Sequence, residues 1–337
     1  MARTLIIAEA GVNHCGDINR ALDMVRVAHA CGADAVKFQT FCAASLATSS
    51  APMAEYQARN IGKRTSQADM LRSLELSLDD HVKLKAACDW IGIEFLSTPF
   101  DVESARLLNG FVKRWKVASG EITNAPLLMA MKNMPKPVIL STGMSTLGDV
   151  EFATSIIGGD NVTLLHCTSE YPCPDDSVNL LAMDTLRDRF GMPVGYSDHT
   201  TGIHVPVAAV ARGAIVIEKH FTLDRALPGP DHVASLIPWE LKDMCEAIRR
   251  VKRALGDGVK QPTEVEKETA KIPRKSLVAL THIKKGDLFT EYNLGTKRPG
   301  TGVSAKYFYD YIGVVADRDY GPDDMVREVR AAEASRP

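Results

Sequence analysis

Two lysines, two histidines and three carboxylic acids stand at the ends of short apolar runs, or in the loops that follow them. Lys37 lies in AVKFQT and Lys116 in RWKVAS, and the hydroxyls of Thr98, Ser119, Ser141 and Ser197 end or follow similar runs. Ammonium groups give a phosphate point charge, while hydroxyls and loop N–H groups give it donors. The set suits a small phosphorylated anion, held without a P-loop because no GxxxxGK[ST] occurs. The alternative is that the lysines are solvated rim charges. His199 follows PVGYS and His220 follows AIVIEK. If these are neighbouring parallel strands, ~4.8 Å apart, both imidazoles can reach one point and hold a divalent cation as a Lewis acid. Either could instead be a core histidine or a helix cap. Glu9, Glu121 and Asp231 are the candidates for proton transfer; a cap role for Glu121 and a turn role for Asp231 are the alternatives. Glu218 reads as a buried partner for a nearby lysine, and His14 and His166 as structural.

The elements that must position these residues are eight short runs. They cover residues 4–10, 35–40, 93–99, 114–119, 137–142, 162–168, 193–197 and 214–219. They are continuous rather than alternating, as expected of strands buried on both faces. Amphipathic helical patterns such as NRALDMVRVAHACG and LDDHVKLKAACDWIG separate them. Eight βα units in succession predict an α/β protein with a (β/α)8 TIM barrel, whose active site gathers at the C-terminal strand ends. A doubly wound open sheet is the alternative, set aside on the count of eight. All eight ends carry ionisable or hydroxyl groups, more than caps and turns require.

Residues 1–255 are expected to form the barrel. Within them, 41–75 read as an insertion with some helix over the barrel mouth. The charged stretch 256–276 reads as a linker, and 277–337 as a small domain of short strands and turns. About 60 residues make a marginal core, so this tail is expected to lean on the barrel or on a partner subunit.

The 337 residues carry 40 basic and 42 acidic side chains, a net charge of −2. That balance produces no field favouring nucleic acid or an anionic membrane. Seven cysteines without a CxxC pair fit a reducing cytoplasm. The apolar run before Glu9 is too short for a signal peptide, and no stretch approaches the ~20 apolar residues of a membrane span.

The segments IAEAGVNHCG, VKFQT, STPFD, KVASGEITN, STGMS, HCTSEYPCP, GYSDHT, EKHFTLDRALPGPDH and KRPGTG run in order over nearly the whole chain. Together they resemble the successive motifs of the N-acetylneuraminate (sialic acid) synthase family, and the tail is similar to that family's antifreeze-like (SAF) domain. The resemblance implies condensation of phosphoenolpyruvate with an N-acylated mannose-type sugar, N-acetylmannosamine first, giving a nonulosonic acid and phosphate by C–O cleavage. It implies Lys37, Thr98, Lys116, Ser119, Ser141 and Ser197 as phosphoenolpyruvate contacts, and Gln39, Tyr171 and Asp231 as sugar contacts. His199 and His220 would hold a divalent metal, manganese foremost, with magnesium or cobalt as alternatives. Glu121 would stabilise charge at C2, with Glu9 or Asp231 as base. A domain-swapped homodimer would bring Arg298 to the partner's sugar.

Two positions depart from the family pattern. Ser169 stands where N-acetylneuraminate enzymes carry Asn, and a serine there resembles relatives that make legionaminic acid. This makes a 2,4-diacetamido-2,4,6-trideoxymannose substrate the alternative. Cys15 stands where an acid or Asn is usual, and reads as a small packed side chain rather than a reactive thiol. Two other activities compete: a Schiff-base lyase using Lys116 or Lys219, and a sugar-binding module without catalysis.

Overall fold

The computed structural model describes residues 3–62 and 65–328; residues 329–337 of the expected second domain lie outside the described residues. Eight parallel strands form one sheet: β1 (Leu5–Gly11), β2 (Ala35–Thr40), β3 (Glu94–Pro99), β4 (Trp115–Val117), β5 (Val138–Ser141), β6 (Val162–His166), β7 (Val194–Asp198) and β8 (Val216–His220). The hydrogen-bonded order runs β3-β2-β1-β8-β7-β6-β5-β4, and β3 and β4 come together to complete the circle. First and last strands pair, so the sheet closes as a (β/α)8 barrel and has no switch point of a doubly wound sheet.

Along each strand successive side chains face opposite sides. One set, including Ile6, Ala8, Val36, Phe95 and Leu140, packs against the helices. The other set, Ile7, Ala35, Leu96, Ile139, Leu165 and Val216, fills the barrel. This division explains the continuous apolar runs: both faces are buried. Gly195 shows how tight the interior is. A Cβ there would lie 2.5 Å from the Val216 carbonyl oxygen and 2.6 Å from Leu165 Cδ2.

Two residues further along each strand the interior set changes character. Ile7 gives way to Glu9, Ala35 to Lys37, Leu96 to Thr98, Ile139 to Ser141 and Val216 to Glu218. The barrel is therefore an apolar plug with a polar, ionisable lid at its C-terminal end. The insertion folds as three short helices, Ala43–Leu46, Glu55–Ile61 and Gln67–Leu74. They bury Ala43, Met70, Leu71 and Leu74 against Val12 and Phe41. Asn60 Nδ2 donates to the Pro230 carbonyl at 2.7 Å, joining the insertion to the loop that follows β8.

The chain divides into two compact units, Met1–Asp257 and Gly258–Pro337. Within the stretch read as a linker, Glu264–Ala270 forms a helix whose Thr263 hydroxyl accepts from the Glu266 N–H at 3.2 Å. No residue of that helix is buried, so it has no apolar periodicity by which a sequence reading could find it. The second unit pairs β9 (Ser276–Ala279) with β10 (Leu294–Lys297) in antiparallel fashion around a core of Leu277, Ile283, Phe289 and Tyr320.

Candidate active site

A cavity of about 300 Å³ opens at the C-terminal end of the barrel. Of the residues singled out in the sequence, Glu9, Lys37, Gln39, Thr98, Lys116, Ser119, Ser141, Ser169, Tyr171, Ser197, His199 and His220 line it. Both lysines are almost fully buried, at 3% and 2% exposure, so they are not solvated rim charges. Lys37 Nζ lies 2.9 Å from Glu9 Oε2 and donates to Thr98 Oγ1 at 3.0 Å. Lys116 Nζ donates to Ser141 Oγ at 2.8 Å.

Glu218 ties the two cations together. Its Oε1 is 3.8 Å from Lys37 Nζ and 3.5 Å from Lys116 Nζ, and it accepts from Ser197 Oγ at 3.2 Å. Burial works to raise its pKa, but Lys116 and then Lys37 outweigh burial and hold it below the usual carboxylate range. Glu9 behaves in the opposite way. Burial pushes its carboxyl up to about 7, against the opposing pull of Lys37 and with help from Glu218. One carboxylate is thus kept ionised beside another poised near neutrality. With two ammonium groups and one firmly charged acid, the cluster has room for an anion.

The two histidines line the same cavity, with ring centroids 5.6 Å apart, and His220 is the register partner of Glu9. His199 Nδ1 bonds the Thr168 carbonyl at 2.6 Å. A carbonyl can only accept, so Nδ1 carries the proton and Nε2 keeps its lone pair. His220 Nδ1 is buried without a hydrogen-bond partner, 4.0 Å from Asp231 Oδ2. Burial lowers both imidazole pKa values, that of His220 well below the ordinary value. Neutral imidazoles with available lone pairs, one of them oriented by a carbonyl, are what a divalent cation requires. Among the described residues no group of three or more His, Cys, Asp or Glu could hold a metal ion, so two protein ligands would leave positions open for substrate and water. The Tyr171 ring lies 4.2 Å from that of His199, centroid to centroid.

Of the residues expected to act in catalysis or sugar binding, Glu121, Asp231 and Arg298 do not line the cavity. Glu121 ends a 3-10 turn, Ser119–Glu121, and its Oε2 accepts from Asn124 Nδ2 at 2.6 Å. Asp231 stands behind His220, its carboxyl raised to about 6 by burial, its own carbonyl accepting from Ser235 Oγ at 2.7 Å. Arg298 belongs to the second unit, where its Nε donates to the Pro273 carbonyl at 3.1 Å. Lys219 also points away from the cavity, since it alternates with Glu218 and His220 along β8. Cys15 is packed as expected: its Sγ is 3.3 Å from His232 Nε2, and burial raises its thiol pKa. His14 accepts from the Gly16 N–H at 3.0 Å, and His166 bonds the Val178 carbonyl at 2.7 Å.

Glu218, which in the sequence reads only as a buried partner for a lysine, also lines the cavity. The available signal was its spacing, two residues before His220 and so on the same face of the strand. Cys167, Phe100 and Met144 also line the cavity without any prior signal. Gly143 was missed as well. A Cβ there would fall 2.4 Å from Ser169 Oγ, 2.8 Å from Ser119 Oγ and 3.0 Å from Cys167 Sγ, so glycine is needed for the wall between the two serines. Gly143→Ala must displace these side chains by a large part of an ångström. We expect kcat/KM to fall about 10–100-fold while the melting temperature stays within a few degrees; unaltered kinetics would show that the wall yields freely.

Residues 24–260 match the model of the NeuB family. The chain belongs to the NeuB family. Residues 274–331 match the SAF domain. The N,N'-diacetyllegionaminic acid synthase of Campylobacter jejuni is 49% identical over 97% of this chain and 100% of its own length. The enzyme of the same name from Legionella pneumophila is 46% identical over 91% of this chain and 89% of its own. Among solved structures, the N-acetylneuraminic acid synthetase of Leptospira borgpetersenii in complex with citrate matches with a TM-score of 0.70. It is 36% identical, and the match covers 80% of this chain and 90% of that one. This NeuB-family protein is therefore an enzyme, a synthase of that family. No helix among its described residues is long and apolar enough to cross a membrane.

Proposed function

We propose that this NeuB-family enzyme condenses phosphoenolpyruvate with 2,4-diacetamido-2,4,6-trideoxymannose and water, giving N,N'-diacetyllegionaminic acid and phosphate. The observation that carries the reading is that two buried lysines and two histidines whose pKa values burial lowers line one cavity. N-acetylmannosamine, the sugar expected first, gives way to the diacetamido sugar for two reasons. Relatives at 49% and 46% identity bear the legionaminic name, and Ser169, the position that pointed to it, lies in the cavity wall. Phe100, Met144 and Tyr171 add apolar surface to the cavity, suited to methyl groups on a 6-deoxy, twice-acetylated sugar.

Lys37 and Lys116 would hold the phosphate, with Thr98, Ser119, Ser141 and Ser197 donating to its oxygens, and so fix C3 of the enol against the sugar's aldehyde carbon. A divalent ion at His199 and His220, manganese foremost, would supply Lewis acidity toward the aldehyde oxygen. As the C3–C1 bond forms, positive charge develops at C2. Glu218, which its lysine neighbours keep ionised inside the cavity, would stabilise that charge, the part that the family resemblance gives to Glu121. Water then adds at C2. Glu9, poised at about 7, would take its proton, and Asp231 is the second candidate. The tetrahedral centre then collapses to the keto acid: the C2–O bond to phosphate breaks, the remaining C2 hydroxyl proton leaves with the phosphate, and the proton taken up by Glu9 passes to the C1 alkoxide, so that Glu9 ends ionised again. The proposal includes a homodimer in a cytoplasmic setting, with Arg298 serving the sugar of the partner. The exposed position of Arg298 supports that part. The Schiff-base alternative loses Lys219, which faces away, and leaves Lys116 bound to Ser141 and Glu218.

The test is phosphate release from phosphoenolpyruvate with the diacetamido sugar, N-acetylmannosamine, its 6-phosphate or mannose. Fastest release with the diacetamido sugar is expected. Faster release with N-acetylmannosamine would return the first reading, and no release with any sugar would end the proposal.

A further inference from the structure

Asp198 and Lys219 are both completely buried, at 0% exposure, and their charged atoms lie 2.5 Å apart. They are register partners across β7 and β8 and face the helix layer, away from the cavity. No step of the proposed reaction uses them. Two charges taken out of water are costly, and apolar side chains of similar size commonly serve stability as well or better. The pair calls for another reason to be there, and its neighbours supply one. Asp198 precedes His199, and Lys219 precedes His220.

The bonding closes around His199. Asp198 Oδ1 accepts from the Thr200 N–H at 3.1 Å and from the Thr200 hydroxyl at 3.0 Å. Tyr196 Oη donates to the same oxygen at 3.0 Å. The Lys219 ammonium donates both to Asp198 and to the Thr200 carbonyl. A single cation on β8 therefore grips the residues on either side of His199. The carbonyl of His199 itself accepts from the Cys173 N–H at 2.8 Å. The turn leaving β7 is locked to the strand that carries the second histidine.

We propose that Asp198 and Lys219 are positioning residues for the metal pair, fixing the separation of His199 and His220 by holding the backbone around both. The inference rests on the reading of His199 and His220 as metal ligands. A ligand pair carried on two strands keeps its geometry only while those strands cannot slide or twist at their ends. Outer partners of metal ligands typically govern about 10–100-fold in affinity.

The experiment is a titration of Mn2+ into the full-length protein without substrates, read by electron paramagnetic resonance, with melting temperatures measured in parallel. Asp198→Asn combined with Lys219→Met removes both charges and leaves an acceptor for Tyr196 and Thr200. We expect this variant to melt within a few degrees of the wild type and to bind Mn2+ about 10–100-fold more weakly. Equal affinity in variant and wild type overturns the positioning role while leaving the histidines as ligands. A wild type that binds no Mn2+ overturns the metal reading and this inference with it. If the double variant fails to fold, Thr200→Val removes one hydrogen bond from the lock and leaves the ion pair. A weakening of about threefold or more is then expected, and unchanged affinity overturns the proposal.

Discussion

Replacing Lys116 with methionine is expected to lower kcat/KM for phosphate release by about 10²–10³-fold. The side chain is 2% exposed, and its ammonium meets Ser141 at 2.8 Å and Glu218 at 3.5 Å. Burial lowers its pKa, and Glu218 opposes that fall. A charge-assisted contact in a water-poor site contributes roughly 3–4 kcal/mol to a developing transition state, and each ~1.4 kcal/mol is a factor of ten. The same change has a second consequence. It leaves Glu218 buried with only the more distant Lys37, 3.8 Å away, and breaking a buried pair in this way costs about 3–5 kcal/mol of stability. Adding Glu218→Gln removes the stranded charge. The double variant should regain much of the lost melting temperature and none of the lost activity. Steady-state kinetics and calorimetry on the two variants separate the roles. Activity within tenfold of wild type in either variant would mean that Lys116 holds the barrel mouth together and does not hold the phosphate.

Glu218 also marks where the sequence stopped being readable. The run AIVIEKH offers three polar residues in succession, and a strand buried on both faces gives no polar–apolar alternation to say which of them look inward. The phase comes from neighbouring strands: Glu9 pairs with His220 and Ala8 with Lys219, so Glu218 and His220 share the interior with Glu9, and Lys219 is turned out. Where the polar residue stood alone between apolar neighbours, as Lys37 does between Val36 and Phe38 and Lys116 between Trp115 and Val117, residue type and position were enough to bring it to the cavity. Glu121 was not legible in that way. It follows β4 through a 3-10 turn, whose period of three breaks the strand's alternation of two. The eight strands themselves were plain, because the apolar runs match the observed strands to within a residue or two at most ends. The helix Glu264–Ala270 was not, because nothing in it is buried.

On the proposed metal reading, removing divalent ions with a chelator is expected to abolish phosphate release, and His199→Ala and His220→Ala are each expected to lower it at least about 10³-fold, the several kcal/mol that Lewis-acid stabilisation contributes. Both imidazoles are neutral at working pH because burial lowers their pKa values, so neither substitution strands a charge. The fold should tolerate both, with melting temperatures close to that of the wild type. The two variants should differ in one respect. His199 is oriented by the Thr168 carbonyl at 2.6 Å, whereas His220 Nδ1 has no such partner. Thr168 keeps its carbonyl whatever its side chain, so His199→Gln, whose amide N–H can still donate to that carbonyl, should retain more Mn2+ affinity than His199→Ala. Mn2+ titration by electron paramagnetic resonance reads this directly, alongside the activity assay. Release that continues in chelator, or an alanine variant that binds Mn2+ as tightly as the wild type, would remove the metal from the site and leave the two imidazoles as hydrogen-bonding groups for the sugar.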